Sequence, residues 1–135
     1  MNRIAQALLS DFVKSHLAGQ TLTLSEQFEH FAAYLCIGPL TETAFSTADA
    51  VVSSDAQPSI DALAIIVNGS IVNDSDDVDA LVDVNGYLDV DFVFVQAKTS
   101  DGFSVASFGH MGDFVSAFFS SCCPTTATEA VRAKF

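Results

Sequence analysis

Asn68-Gly69 separates two runs of β-branched and aliphatic residues, Ile60 to Val67 and Ser70-Ile71-Val72, and no other feature restricts the fold as much. A two-residue type I′ turn needs positive φ at both central positions, which asparagine and glycine tolerate, and its twist matches that of paired strands. A β-hairpin is therefore expected here. Leu88 to Ala97 is the clearest strand in the chain. Its centre, Phe92-Val93-Phe94-Val95, is apolar at every position, as in a strand covered on both faces. Between the hairpin and this strand, Asn73 to Asp79 is polar and acidic and reads as a surface loop. A weak apolar segment at Leu81 to Val84 and a turn at Asn85-Gly86 follow.

Helical spacing appears on both sides of these strands. Ile4, Leu8, Phe12 and Leu17 predict a first helix over residues 2 to 18, with Gly19 just past its end. A second starts near Thr23, where Thr23 and Glu26 have the spacing of a capping box and Phe28, Phe31, Ala32 and Leu35 form an apolar stripe. Gly38-Pro39 ends it. Residues 40 to 58 show no clean period beyond a short helix around Thr47 to Val52. Phe108, Met111, Val115 and Phe118 predict a helix from Ser107 to Ser121, in which Gly109 and Gly112 would permit close packing on a sheet. Pro124 would stop it, and Thr126 or Thr128 would cap a further helix. The order helix, helix, hairpin, strand, helix implies an α/β or α+β fold, a single domain over 1–135 with a small mixed sheet flanked by helices.

Half of the 135 residues are hydrophobic, which is ample for one core, and the many Phe residues are expected in it. No run is long enough to span a bilayer and no secretory signal opens the chain, so a cytoplasmic protein with no membrane partner is expected. Cys36, Cys122 and Cys123 are odd in number and two are adjacent, which favours reduced, partly buried thiols over a disulfide framework. Asp74, Asp76, Asp77 and Asp79 lack the glycine and glutamate of a calcium loop. His16, His30 and His110 have no zinc spacing, and neither a nucleophile elbow nor a Gly-rich phosphate loop is present.

Net charge is −12, from 17 acidic and five basic residues. Arg3, Lys14, Arg132 and Lys134 lie near the ends, so Lys98 is the one Lys or Arg between residues 15 and 131. Such a balance argues against tight nucleic-acid binding by this chain alone, because phosphate affinity comes largely from Lys and Arg. Gln96 and Lys98 have equal parity on the third strand and project from one face about 6 to 7 Å apart. If the first hairpin strand pairs with this one, the Asp61 carboxylate comes close to Gln96. A carboxylate and an amide oxygen are hard ligands for Mg²⁺, and an ammonium beside them can orient an attacking water, as phosphodiester hydrolysis requires. Each residue also has a plainer reading: Gln96 as a strand-end hydrogen bonder, Lys98 as a surface lysine, Asp61 as a turn former.

The run Ile60-Asp61-Ala62-Leu63-Ala64-Ile65-Ile66-Val67-Asn68-Gly69, followed by Leu88-Asp89-Val90-Asp91-Phe92-Val93-Phe94-Val95-Gln96-Ala97-Lys98-Thr99-Ser100 and Phe103, is similar to the N-terminal region of the abortive-infection phage-resistance (AIPR) proteins. The similarity covers about half the chain. It implies a PD-(D/E)XK restriction-endonuclease-like core, in the Mrr-like branch where glutamine replaces the acidic residue of the triplet. The resemblance would make Asp61 the metal-binding aspartate, Gln96 the variant ligand, Ala97 a backbone-carbonyl ligand and Lys98 the catalytic lysine, with Mg²⁺ or Mn²⁺ as cofactor. A helix before the hairpin often adds a glutamate in this class; Glu29 is the best match and Glu26 the second, and for Glu29 a solvated charge is the plainer alternative. The implied activity is metal-dependent endonuclease cleavage of DNA or RNA in anti-phage defence; the alternative is a nuclease-like module serving assembly or sensing. Ser59 and Ala62 stand where the family pattern has glycines around the aspartate. The family's proteins are much longer, so the chain reads either as the N-terminal piece of such a protein or as a short relative. Its acidity implies that a protein partner, a further domain or a homo-oligomer supplies the grip on nucleic acid.

Overall fold

A computed structural model describes residues 1–52, 60–100 and 102–120. The first helix, α1 (Arg3–His16), is capped by Asn2, whose side chain accepts from the Ala5 amide. The second, α2 (Leu24–Ile37), begins with the expected capping box: Thr23 Oγ1 accepts from the Glu26 amide, and the Glu26 carboxylate accepts from the Thr23 amide at 2.7 Å. Each cap satisfies backbone donors that the first helical turn leaves without partners. Leu9 and Phe12 of α1 pack with Leu17 and with Phe31 of α2, so α1 lies on the outer face of α2.

The hairpin forms as its turn residues predict. Asn68 takes φ 50° and Gly69 φ 81°, joining β1 (Ala62–Val67) to β2 (Ser70–Val72), with Ile66 opposite Ile71. Asn68 also starts the next strand. Its amide donates to the Asp89 carbonyl, its side-chain oxygen accepts from the Asp89 amide, and its side-chain nitrogen donates to the Tyr87 carbonyl. From this clamp β3 (Val90–Val95) runs antiparallel along the other side of β1, pairing Val67 with Val90 and Ala62 with Val95.

The sheet order is β2-β1-β3 and both pairings are antiparallel, so the expected mixed sheet is instead wholly antiparallel. The strand buried on both faces is β1. The expectation that β3 would be covered on both faces is corrected too: it forms an edge, and its Phe92 is 42% exposed. β1 is flanked by β2 along its second half and, at its start, by a bridge between Val51 and Ala62. That bridge replaces most of the short helix expected at 47–52, of which a single 3-10 turn, Thr47–Asp49, forms; the Val51 amide still donates back to the Thr47 carbonyl, while the Val52 amide donates to the Asp61 carbonyl and the Ala50 carbonyl accepts from the Leu63 amide.

The acidic stretch expected as a loop is the start of a helix, α3 (Ser75–Asn85). Asp74 caps it by accepting from the Asp77 amide, Asp76 and Asp77 face the positive end of the helix dipole, and Gly86 closes it at φ 71°. It buries none of its residues. The last described element is α4 (Val105–Phe119), which starts two residues before the expected Ser107. Cys122, Cys123, Pro124 and the cap expected at Thr126 or Thr128 lie outside the described residues.

Two clusters lie on opposite faces of the sheet. On one, Ala33 and Ile37 of α2 meet Ala62, Ala64, Ile66 and Val95; on the other, Phe114 and Phe118 of α4 meet Ile60 and Leu63. The alanines let α2 approach closely. Leu63, Ile66 and Val67 are fully buried, each contributing about 1.5–3 kcal/mol by removal from water. The chain is thus an α+β fold, with its antiparallel sheet between α2 and α4. The expectation that the Phe residues are core holds for Phe12, Phe31, Phe114 and Phe118, whereas Phe92, Phe103, Phe108 and Phe119 are exposed. Gly109 and Gly112 have open space where a Cβ would be and bring nothing close, contrary to the packing role expected of them. Cys36 is a free thiol and is exposed rather than partly buried. No helix among the described residues is long and apolar enough to cross a membrane.

Candidate functional site

Three expected site residues meet where β1 begins and β3 ends. With Ala62 opposite Val95, continuing the register sets Asp61 against Gln96. The ladder does not continue evenly. The Asp61 amide donates to the Val95 carbonyl at 2.8 Å, one residue out of register, while the Asp61 carbonyl accepts from the Val52 amide. Ile60 and Leu63, three apart, consequently fall in the same cluster, which strict alternation would forbid. This local slip behaves as a bulge does, re-aiming one side chain at a strand end.

The re-aimed side chain is the Asp61 carboxylate. Its Oδ2 accepts from the Ala97 backbone N–H at 2.6 Å, across 36 residues of sequence. Burial pushes the Asp61 carboxyl above its ordinary value; the Ala97 hydrogen bond opposes this, and the negative charge of Glu29 on α2 adds to it. The neighbouring Gln96 Oε1 is buried and accepts no hydrogen bond. A buried amide oxygen without a donor costs about 1–3 kcal/mol. A hard cation, which binds oxygen, is one partner that would offset that cost.

Glu29 is half-buried, takes a hydrogen bond from Ser25 Oγ at 3.4 Å, and acts electrostatically on both Asp61 and His30. Glu26, the second choice, is committed to the cap of α2, which holds its carboxyl below the ordinary range. Lys98 goes elsewhere. Its Nζ donates to Ser107 Oγ on α4 at 3.0 Å and lies 5.5 Å from the centre of the Phe103 ring. The structure therefore brings together Asp61, Gln96 and Ala97, adds Glu29 through its charge, and holds Lys98 from the opposite helix.

The oxygen donors fit a hard divalent cation in type. Among the described residues no three His, Cys, Asp or Glu side chains converge, so a cation here would depend on the Gln96 amide and on backbone oxygen as well as on Asp61. His30 is buried and shares a 2.7 Å hydrogen bond between Nδ1 and Thr47 Oγ1; burial pushes its pKa down, favouring the neutral ring, and the charges of Glu29 and Glu26 oppose this.

Ser107 and its neighbour Ser104 are site residues that sequence reasoning missed. The signal was available, since Ser104 and Ser107 have the spacing of a helix cap before an apolar stripe, and Ser104 Oγ accepts from the Ser107 amide at 3.1 Å. Comparison with protein-family models, with curated proteins and with solved structures gives no match.

Proposed function

We propose that this chain is a metal-dependent nuclease domain of the PD-(D/E)XK type, cleaving phosphodiester bonds of DNA or RNA in anti-phage defence. The defence role comes from the sequence resemblance. The observation that carries the chemistry is a half-buried, bulge-turned Asp61 carboxylate held by the amide of Ala97, next in sequence to Gln96, whose buried side-chain oxygen has no donor.

Asp61, Gln96 Oε1, the Ala97 carbonyl and Glu29 are the groups that would hold Mg²⁺ or Mn²⁺. Such an ion would stabilise the charge developing on the phosphorus oxygens. Asp61 must be ionised to act as a ligand, and its burial makes ionisation costly until positive charge arrives. The Ala97 N–H keeps the carboxylate aimed while it waits. Lys98 has donors only, so its ammonium can orient a water or neutralise a phosphate oxygen.

Mg²⁺- or Mn²⁺-dependent nicking of plasmid or cleavage of RNA is expected, and Lys98→Ala should lower it by about 10²-fold or more without changing the melting temperature much. If protein carrying any natural continuation cuts neither polymer with either metal, the enzyme reading fails.

A second reading has its own observation. Lys98 is engaged by Ser107, and the surface is strongly acidic, as suits a nuclease-like module that contacts a basic protein in assembly or sensing. On that reading Asp61→Ala and Lys98→Ala leave anti-phage protection intact.

A further inference from the structure

We infer that Ser107 is the positioning residue that anchors the Lys98 ammonium; its catalytic consequence rests on the nuclease reading, whereas the contact itself does not. Lys98 lies three residues beyond the last residue of β3, with no strand partner among the described residues to fix its backbone and a four-carbon stem free to sweep. Its direction is set from α4. Lys98 Nζ donates to Ser107 Oγ at 3.0 Å, and since an ammonium has no acceptor, the serine proton must point away from it. Ser104 Oγ, 2.9 Å from Ser107 Oγ, can accept that proton and also accepts from the Ser107 amide.

The hydroxyl that receives Lys98 is therefore oriented by the cap of the helix that carries it. The Phe103 ring supplies a second, softer support at 5.5 Å. Electrostatics alone would not choose this place, because the N-terminal end of a helix is positive and repels a cation. One of three N–H bonds is committed to Ser107, which leaves two, in fixed directions, for a water and a phosphate oxygen.

The contact can be read without any activity. The chain has three lysines, Lys14, Lys98 and Lys134, so ¹⁵N-edited NMR of the side-chain ammonium groups at mildly acidic pH gives at most three signals, and Lys98→Ala assigns one. An anchored ammonium exchanges its protons slowly enough to be seen. The Lys98 signal is expected in the wild-type chain, absent in Ser107→Ala and restored in Ser107→Thr, with backbone amide spectra showing all three folded. In cleavage assays Ser107→Ala should lower kcat about tenfold, the equivalent of one hydrogen bond to a charged group, leave KM nearly unchanged, and recover in Ser107→Thr.

A Lys98 signal that persists in folded Ser107→Ala, or that Ser107→Thr does not restore, overturns the anchoring. A signal lost while kcat stays at the wild-type value overturns its catalytic consequence. A wild-type chain that cleaves nothing, with the Lys98 signal still lost in Ser107→Ala, removes the nuclease reading and leaves the anchoring standing.

Discussion

Opposed influences act on the proton of Asp61: burial and the charge of Glu29 favour the neutral acid, and the Ala97 N–H favours the ion. Burial dominates, so the folded-state pKa is raised. The folded chain then binds this proton more tightly than the unfolded chain, and the resulting stability is complete below the ordinary value of 3.8 and lost as pH rises through the raised folded value. Asp61→Asn, which keeps an oxygen for the Ala97 amide, should melt higher than wild type at neutral pH in the absence of divalent cations. The two melting curves should converge below pH 3.8; equal melting at neutral pH would contradict the burial argument. Gln96→Met keeps the side-chain length and removes the orphaned oxygen, so urea unfolding of the metal-free chain should show a gain of about 1 kcal/mol. The same variant should lose any rise in melting temperature on adding Mg²⁺ or Mn²⁺. That the start of β1 lies beside the end of β3, near residues 95 to 97, was legible from strand pairing. The slip that turns Asp61, and the capture of Lys98 by Ser107, were not, because alternation says which face a residue takes and nothing about a one-residue fault or the reach of a long side chain.

Asn68 shows how much of an element one residue can specify. It supplies the positive φ of the hairpin turn and also holds residues 87 and 89 at the start of β3. Asn68→Gly keeps the turn and loses the clamp, which should cost about 1–2 kcal/mol in urea unfolding. Asn68→Ala adds left-handed backbone strain and should cost about 1–2 kcal/mol more; equal costs for the two variants would mean that the turn carries no strain. The hairpin, α1, α2 and α4 were legible because each has a strong local signature: a type I′ dipeptide, a capping box, an apolar stripe. α3 was obscured by reading four aspartates as a loop, although Asp74 and Asp77 have cap spacing, Val78, Leu81 and Val82 have helical spacing, and Gly86 suits the position past the end. The burial of β1 rather than β3 was hidden for another reason. Sheet order depends on which strands meet, and Phe-rich β3 is the more hydrophobic to read, although its edge position leaves Phe92 partly in water.

At the scale of the whole molecule, charge sets the behaviour. A net −12 over 135 residues repels itself in the compact state, and salt screens that repulsion. Melting temperature at neutral pH should therefore rise as monovalent salt is added at fixed buffer, while any affinity for nucleic acid should fall. A melting temperature that falls with salt would show that specific ion pairs outweigh the net repulsion. The element order left α/β and α+β both open, and the antiparallel sheet that decides for α+β required knowing that β3 returns beside β1. The fold also imposes a schedule. The bond between Asp61 and Ala97 spans 36 residues, and Lys98 is held by a residue nine positions later, so neither contact can exist while the hairpin alone has formed. During synthesis the hairpin and the two leading helices can assemble well before Ser107 has been added to the chain. A cell making this protein would meet the assembled centre only in the finished fold, and a chain broken off before α4 would carry Asp61 without the helix that aims Lys98.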